Sequence, residues 1–100
     1  MIFIYRTFPN KRITEKVVDK LLKEKLVGCA NLYNIESRFW WEGKIEKGKE
    51  VSVILKVLEK DKEKVKKRLE ELHPYSVPCI CEIKVKANRK FEEWLRKIKL

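Results

Sequence analysis

The side chains in this 100-residue sequence that could do chemistry are three cysteines, one histidine and a few charged residues set among aromatics. Cys79 and Cys81 lie two apart in Val77-Pro78-Cys79-Ile80-Cys81-Glu82-Ile83-Lys84-Val85. In a strand over 79–86 they share a face with Ile83 and Val85, which predicts small core residues inert to thiol reagents. A C-x-C metal clip is the competing reading. Cys29 follows Gly28 and is open to either. His73 stands equally well as a helix-terminal residue on the last carbonyls or as a functional group. A lone histidine cannot build a multi-histidine metal site within one chain. A Cys–His nucleophile pair would need Cys29 or Cys81 beside His73 with an orienting group, which spacing does not show. Gly28, Gly43 and Gly48 form no phosphate-cradling loop, and neither C-x-x-C nor H-E-x-x-H occurs. The expectation is a protein without enzymatic turnover.

Two segments carry more than filler. Trp40-Trp41-Glu42-Gly43-Lys44-Ile45 sets two indoles beside a carboxylate, a glycine and an amine. His73-Pro74-Tyr75-Ser76-Val77-Pro78 brackets a tyrosine with two prolines, a stiff loop of the kind where binding groups collect.

The elements that must position these groups follow from apolar spacing. Residues 2–8 (IFIYRTF) read as a buried strand, and Asn10 as the N-cap of a helix. Ile13, Val17 and Leu21, flanked by Val18, Leu22 and Leu26, make one stripe running to about Leu26, with Gly28 as the stop. A strand over 29–35, bent at Glu36-Ser37, continues from Arg38 to Ile45. A hairpin turn at Glu46-Lys47-Gly48-Lys49 returns the chain through strand 50–58. Val65, Leu69 and Leu72 mark a second helix that Pro74 ends. After strand 79–86, Asn88 caps a terminal helix with Phe91, Trp94, Leu95 and Ile98 on its buried face. The order β-α-β-β-α-β-α predicts an α+β domain over residues 1–100. Its first six elements form a ferredoxin-like antiparallel sheet with both crossover helices on one face.

One hundred residues hold one domain. No apolar run approaches the ~20 residues of a membrane span, and 2–5 is too short for a signal-peptide core, so a cytoplasmic location is expected. Net charge is +10, yet the signs interleave: residues 59–71 hold six basic and five acidic side chains. That pattern suits a solvated helix with many ion pairs, as in heat-adapted proteins, and disfavours a nucleic-acid role. The strands are apolar on both faces: Val51, Val53, Leu55 and Val57 on one, Ile54 and Leu58 on the other. Three helices leave the second face short of cover, which predicts an oligomer.

With Thr7-Phe8-Pro9, Leu26–Asn31 (LVGCAN), WWEGKI at 40–45, Ile54-Leu55-Lys56, HPYSVP at 73–78 and Trp94-Leu95, the sequence resembles the CutA family of divalent-cation tolerance proteins over essentially its whole length. The resemblance implies a tight homotrimer of ferredoxin-like subunits, similar in architecture to PII-type signalling proteins. It also implies a role toward divalent metals, copper especially, with no metal required for folding. Metal sites suggested for some members use a first-strand cysteine and the histidine of the HPY motif; here the first-strand position is Arg6, a cation that opposes a metal there, and only His73 carries over. Cys29 aligns with a cysteine common in the family. The resulting candidate metal set is His73, Cys29 and Glu42, the last from a neighbouring subunit. A second reading is a small-ligand sensor or scaffold whose clefts, lined by Trp41, Glu42, Lys44, Lys56 and Tyr75, lie between subunits.

Overall fold

Alternation in the first strand sets the layers. In the computed structural model, which describes residues 1–72 and 75–98, β1 (Ile2–Phe8) buries every even-numbered side chain and half-buries the odd ones. Ile2, Ile4 and Phe8 thereby join Val53, Leu55 and Val57 of β3 (Lys44–Val57) on one sheet face. Two helices cover that face: α1 (Lys11–Lys23) with Val17, Val18 and Leu21, and α2 (Lys62–Leu72) with Val65 and Leu69. The sheet is wholly antiparallel, in the order β2-β3-β1-β4, with β2 over Cys29–Trp41 and β4 over Ile80–Lys84. This is the expected ferredoxin-like α+β arrangement, followed by α3 (Arg89–Lys97).

The helices begin and end for local reasons. Asn10 Oδ1 accepts the amide of Ile13 at 2.9 Å and caps α1 as expected. The other end differs from the sequence expectation. The helix stops at Lys23, and Lys25 takes the left-handed conformation (φ 57) that a glycine usually supplies. Gly28 serves packing instead: a Cβ there would lie 2.1 Å from Leu95 Cδ1, so the missing side chain is what lets α3 seat against the strand entrance. Between α1 and α2, Arg68 makes a two-pronged bond to Glu24 (Nε–Oε1 3.0 Å, Nη2–Oε2 2.9 Å). Between α2 and β4, Glu82 accepts Lys66 at 2.6 Å and Lys62 at 3.2 Å. The interleaved charges are therefore partly spent on bonds between elements.

The β2–β3 hairpin departs most from expectation. Neither the bend at Glu36-Ser37 nor a turn at 46–49 is found. The pairing runs without a bulge from Cys29↔Lys56 to Trp41↔Lys44. The turn is the two-residue pair Glu42-Gly43, with φ of 48° and 77°. Both central residues at positive φ give the turn whose twist matches two antiparallel strands. Gly43 meets that need and Gly48 does not, so the turn falls at the earlier glycine. Because β1 pairs with β3 only as far as Val51, residues 44–50 have β2 as their sole partner strand among the described residues. The result is a two-stranded ribbon about 20 Å long at ~3.3 Å per residue. It helps stretch the molecule to 47 × 24 × 21 Å. Along the ribbon Phe39, Trp40, Trp41 and Ile45 are exposed.

The second sheet face carries Phe3, Tyr5, Ile54, Lys56, Cys81 and Ile83. In this chain α3 covers one end of it, where Lys56 Nζ stands 5.8 Å from the centroid of the Phe3 ring and 5.4 Å from that of Phe91. The expected strand 79–86 is shorter, and its cysteines are not core. Cys79 and Cys81 are both exposed, because β4 is an edge strand and no element among the described residues covers their side of it.

Candidate functional site

The chemically richest place lies where β4 begins and the loop from α2 arrives. β4 pairs with β1 only from Arg6 downward, leaving Thr7 and Phe8 without a strand on that side. Tyr75 reaches across this end and donates its hydroxyl to Glu50 Oε2 at 2.5 Å. Burial, and then the bond to Glu50, raises the phenol well above its ordinary pKa, so Tyr75 is a donor and not a base. Cys79 and Cys81 follow at once, with their Sγ atoms 3.6 Å apart. Burial first, and then the contact with Cys81, pushes the Cys79 thiol up, while the Arg6 charge pulls it down.

Arg6, read from the sequence only as a cation at the family's first-strand metal position, has surroundings that the sequence reading did not foresee. Its side chain is fully buried, and Nε, Nη1 and Nη2 have no hydrogen-bond acceptor among the described residues. Its guanidinium carbon sits 4.9 Å from the Phe8 ring centroid, and burial lowers its pKa. The signal was present: alternation with Ile2, Ile4 and Phe8 aims residue 6 into the helix-covered face. A buried cation at the first-strand position removes that position as a metal ligand. Glu50, missed too, carried only its spacing in a strand and no motif.

The other predicted groups are dispersed within one chain. Cys29 and Glu42 occupy the start of β2 and the residue just past its end, about 40 Å apart at ~3.3 Å per residue. They do not form one metal site in a single chain. His73 lies outside the described residues, as does Pro74. Among the described residues no group of three or more His, Cys, Asp or Glu is placed to hold a metal ion. The proposed cleft separates likewise. Trp41, Glu42 and Lys44 are at the ribbon tip, Tyr75 is at Glu50 about 20 Å down β3, and Lys56 is a similar distance further on, against Phe3 and Phe91. A cleft shared by these residues needs the tip of one copy beside the body of another.

No helix among the described residues is long and apolar enough to cross a membrane. The family described as CutA1 divalent ion tolerance protein matches residues 2–98. The divalent-cation tolerance protein CutA of Pyrococcus horikoshii is 51% identical over 96 residues, spanning 95% of this chain and 94% of that protein. The crystal structure of CutA1 from Pyrococcus horikoshii superposes with a TM-score of 0.95 at 48% identity, covering 98% of this chain and 97% of that one. The PII-like protein CutA from Nostoc sp. PCC 7120, in apo form, superposes at 0.89 with 30% identity, over 94% of this chain and 92% of that one. With the same β-α-β-β-α-β-α order and a family match across nearly every residue, the chain belongs to the CutA1 family of divalent-ion tolerance proteins.

Proposed function

We propose that this chain works as a cytoplasmic homotrimer that binds copper or another divalent cation in a tolerance role, without turnover. The observation that carries the reading is the protruding ribbon. A two-stranded ribbon alone is marginal in water, and this one exposes Trp40 at 72% and Ile45 at 62%. A neighbouring subunit supplies the cover it lacks and protects its edges from indiscriminate pairing. Family membership supports three copies and a divalent cation. Since Cys29 and Glu42 are far apart in one chain, a site using either draws its remaining donors from a neighbour.

Light scattering at low micromolar protein tests the assembly, with a trimer expected and no stable folded monomer. Copper titration of the same sample, with Cys29→Ser and Glu42→Gln variants, tests the cation: weakened binding in either variant is expected. A folded monomer, or copper binding unchanged by both substitutions, overturns the reading. A small-ligand sensor is the second reading, favoured by the likeness to the PII-like Nostoc protein. It calls for a small anion or zwitterion, instead of a metal, to raise the melting temperature of the trimer.

A further inference from the structure

We infer that the outer side of α1 is a docking face for the sugar–phosphate backbone of duplex nucleic acid, bound without sequence preference. Along the chain the signs of charge interleave, but folding sorts them. Of the carboxylates on and just after α1, Glu15 is paired with Lys11 at 3.7 Å and Glu24 with Arg68 at 2.9 Å. Arg12, Lys16, Lys20 and Lys23 are exposed and form no ion pair among the described residues. Lys20 adds only to the lowering of the Glu24 pKa that Arg68 dominates. Ion-pair networks, the usual use of charge on a heat-adapted surface, therefore leave these four cations unexplained. Helical spacing gathers them. At 3.6 residues per turn they fall within an arc of about 80°, on the side turned away from the buried Val17 and Leu21. They run for about 16 Å along the axis at ~1.5 Å per residue, and Asp19 is the carboxylate that borders them.

The face stays open in the proposed assembly. The surfaces that a neighbour covers there are the ribbon and the second sheet face, whereas α1 packs on the opposite sheet face and these cations line its far side. Chemistry selects the occupant. The helix KRITEKVVDKLLK has no aromatic ring on which the bases of a single strand could stack. Its outer side offers a bilayer only Leu22, at 38% exposure, too little apolar surface for an interfacial helix. What remains is a row of long, flexible cations, which suits a regular line of phosphates; such contacts hold the backbone and read no sequence. Neutralising four phosphates gives a log–log salt slope of about −3.6, or roughly 150-fold weaker binding between about 50 and 200 mM salt.

The test is fluorescence anisotropy of a short labelled DNA duplex of mixed sequence, titrated with the intact assembly across that salt range. Expected are micromolar binding at the low-salt end and the slope given above. A variant neutralised on the face, with Arg12→Gln, Lys16→Gln, Lys20→Gln and Lys23→Gln together, should bind about a hundredfold more weakly at low salt. A variant of the same net charge, neutralised instead by Lys67→Gln, Lys86→Gln, Lys90→Gln and Lys97→Gln, should bind within about threefold of wild type. Lys16→Gln alone should flatten the slope by about 0.9, and Asp19→Asn should tighten binding. All these positions are exposed, so the variants keep the core intact, and circular dichroism with light scattering checks fold and assembly. Equal loss in the two fourfold variants means attraction to net charge alone and overturns the proposal. So does absence of duplex binding at low salt, or binding to vesicles of anionic phospholipid with none to the duplex. The copper titration of the Cys29 and Glu42 variants bears on none of these outcomes, so the two readings fall separately.

Discussion

Replacing Arg6 with Met should make the protein more stable. The wild-type guanidinium is fully buried, and none of its three nitrogens has an acceptor among the described residues. Each orphaned buried group costs about 1–3 kcal/mol. The Phe8 ring, 4.9 Å away, returns at most about 2 kcal/mol as a cation–π contact. Met fills similar volume along the same stem and carries no donor. Exchanging buried charge for well-packed apolar groups has been neutral or stabilising by about 1–4 kcal/mol in other proteins, and the unpaired state here puts Arg6→Met within that range. For a domain of this size each kcal/mol moves the melting temperature by about 4–8 °C. The assay is denaturant unfolding at one fixed protein concentration, reading the midpoint with an unchanged slope. Arg6→Lys, which keeps the charge and loses the stacking plane, should show no gain. An Arg6→Met midpoint at or below wild type would falsify the argument and mean that an acceptor reaches the guanidinium in the working assembly.

Three further outcomes follow from contacts already described. Lys66 first, and then Lys62, hold Glu82 below its ordinary pKa, so its contribution is present above the normal carboxylate range and is lost as pH falls through the depressed value. Glu82→Gln should therefore flatten the acid side of the stability–pH curve, and the difference should shrink in high salt because the cluster is exposed. Glu42→Asn should stabilise by about 1 kcal/mol, since Asn tolerates the left-handed conformation that Glu42 holds at φ 48°; a lower melting temperature would contradict the turn assignment. Gly28→Ala, whose new methyl would meet Leu95 Cδ1 at 2.1 Å, should cost about 1–3 kcal/mol and speed hydrogen exchange in α3.

Much of the fold was legible because periodicity reports burial directly. The stripe through Ile13, Val17 and Leu21 and the cap at Asn10 place α1 without help from the rest of the chain. What escaped was decided by neighbours distant in sequence. Gly28 looks like a helix stop locally, and only the arrival of Leu95 shows that it clears space for α3. Two glycines competed for the hairpin, and Glu42 at positive φ is a choice that turn preferences do not favour. Cys79 and Cys81 were placed on the correct shared face, but alternation does not say whether that face has a cover. The candidate site was read less well than the fold. Tyr75 was singled out by its two bracketing prolines, yet its partner Glu50 lies 25 positions away in an unmarked stretch of strand. Arg6 was read as a cation at a family metal position, but its burial was not, because IFIYRTF was taken as an apolar run without using the alternation that fixes where residue 6 must point.

The placement of the tryptophans has a practical consequence for how unfolding is observed. Trp40 and Trp41 stand near the ribbon tip, and Trp94 lies on α3 against Phe91, with ring centroids 5.4 Å apart. At 72%, 45% and 45% exposure, none is in the interior that α1 and α2 seal. Intrinsic fluorescence is therefore blind to that interior and senses the two outlying parts, whereas far-ultraviolet circular dichroism is weighted toward the helices. If the ribbon loosens before the helices melt, the optical signals separate even though the interior opens in one step. Non-coincident curves, normally the sign of a populated intermediate, would in this protein report the detachment of its periphery.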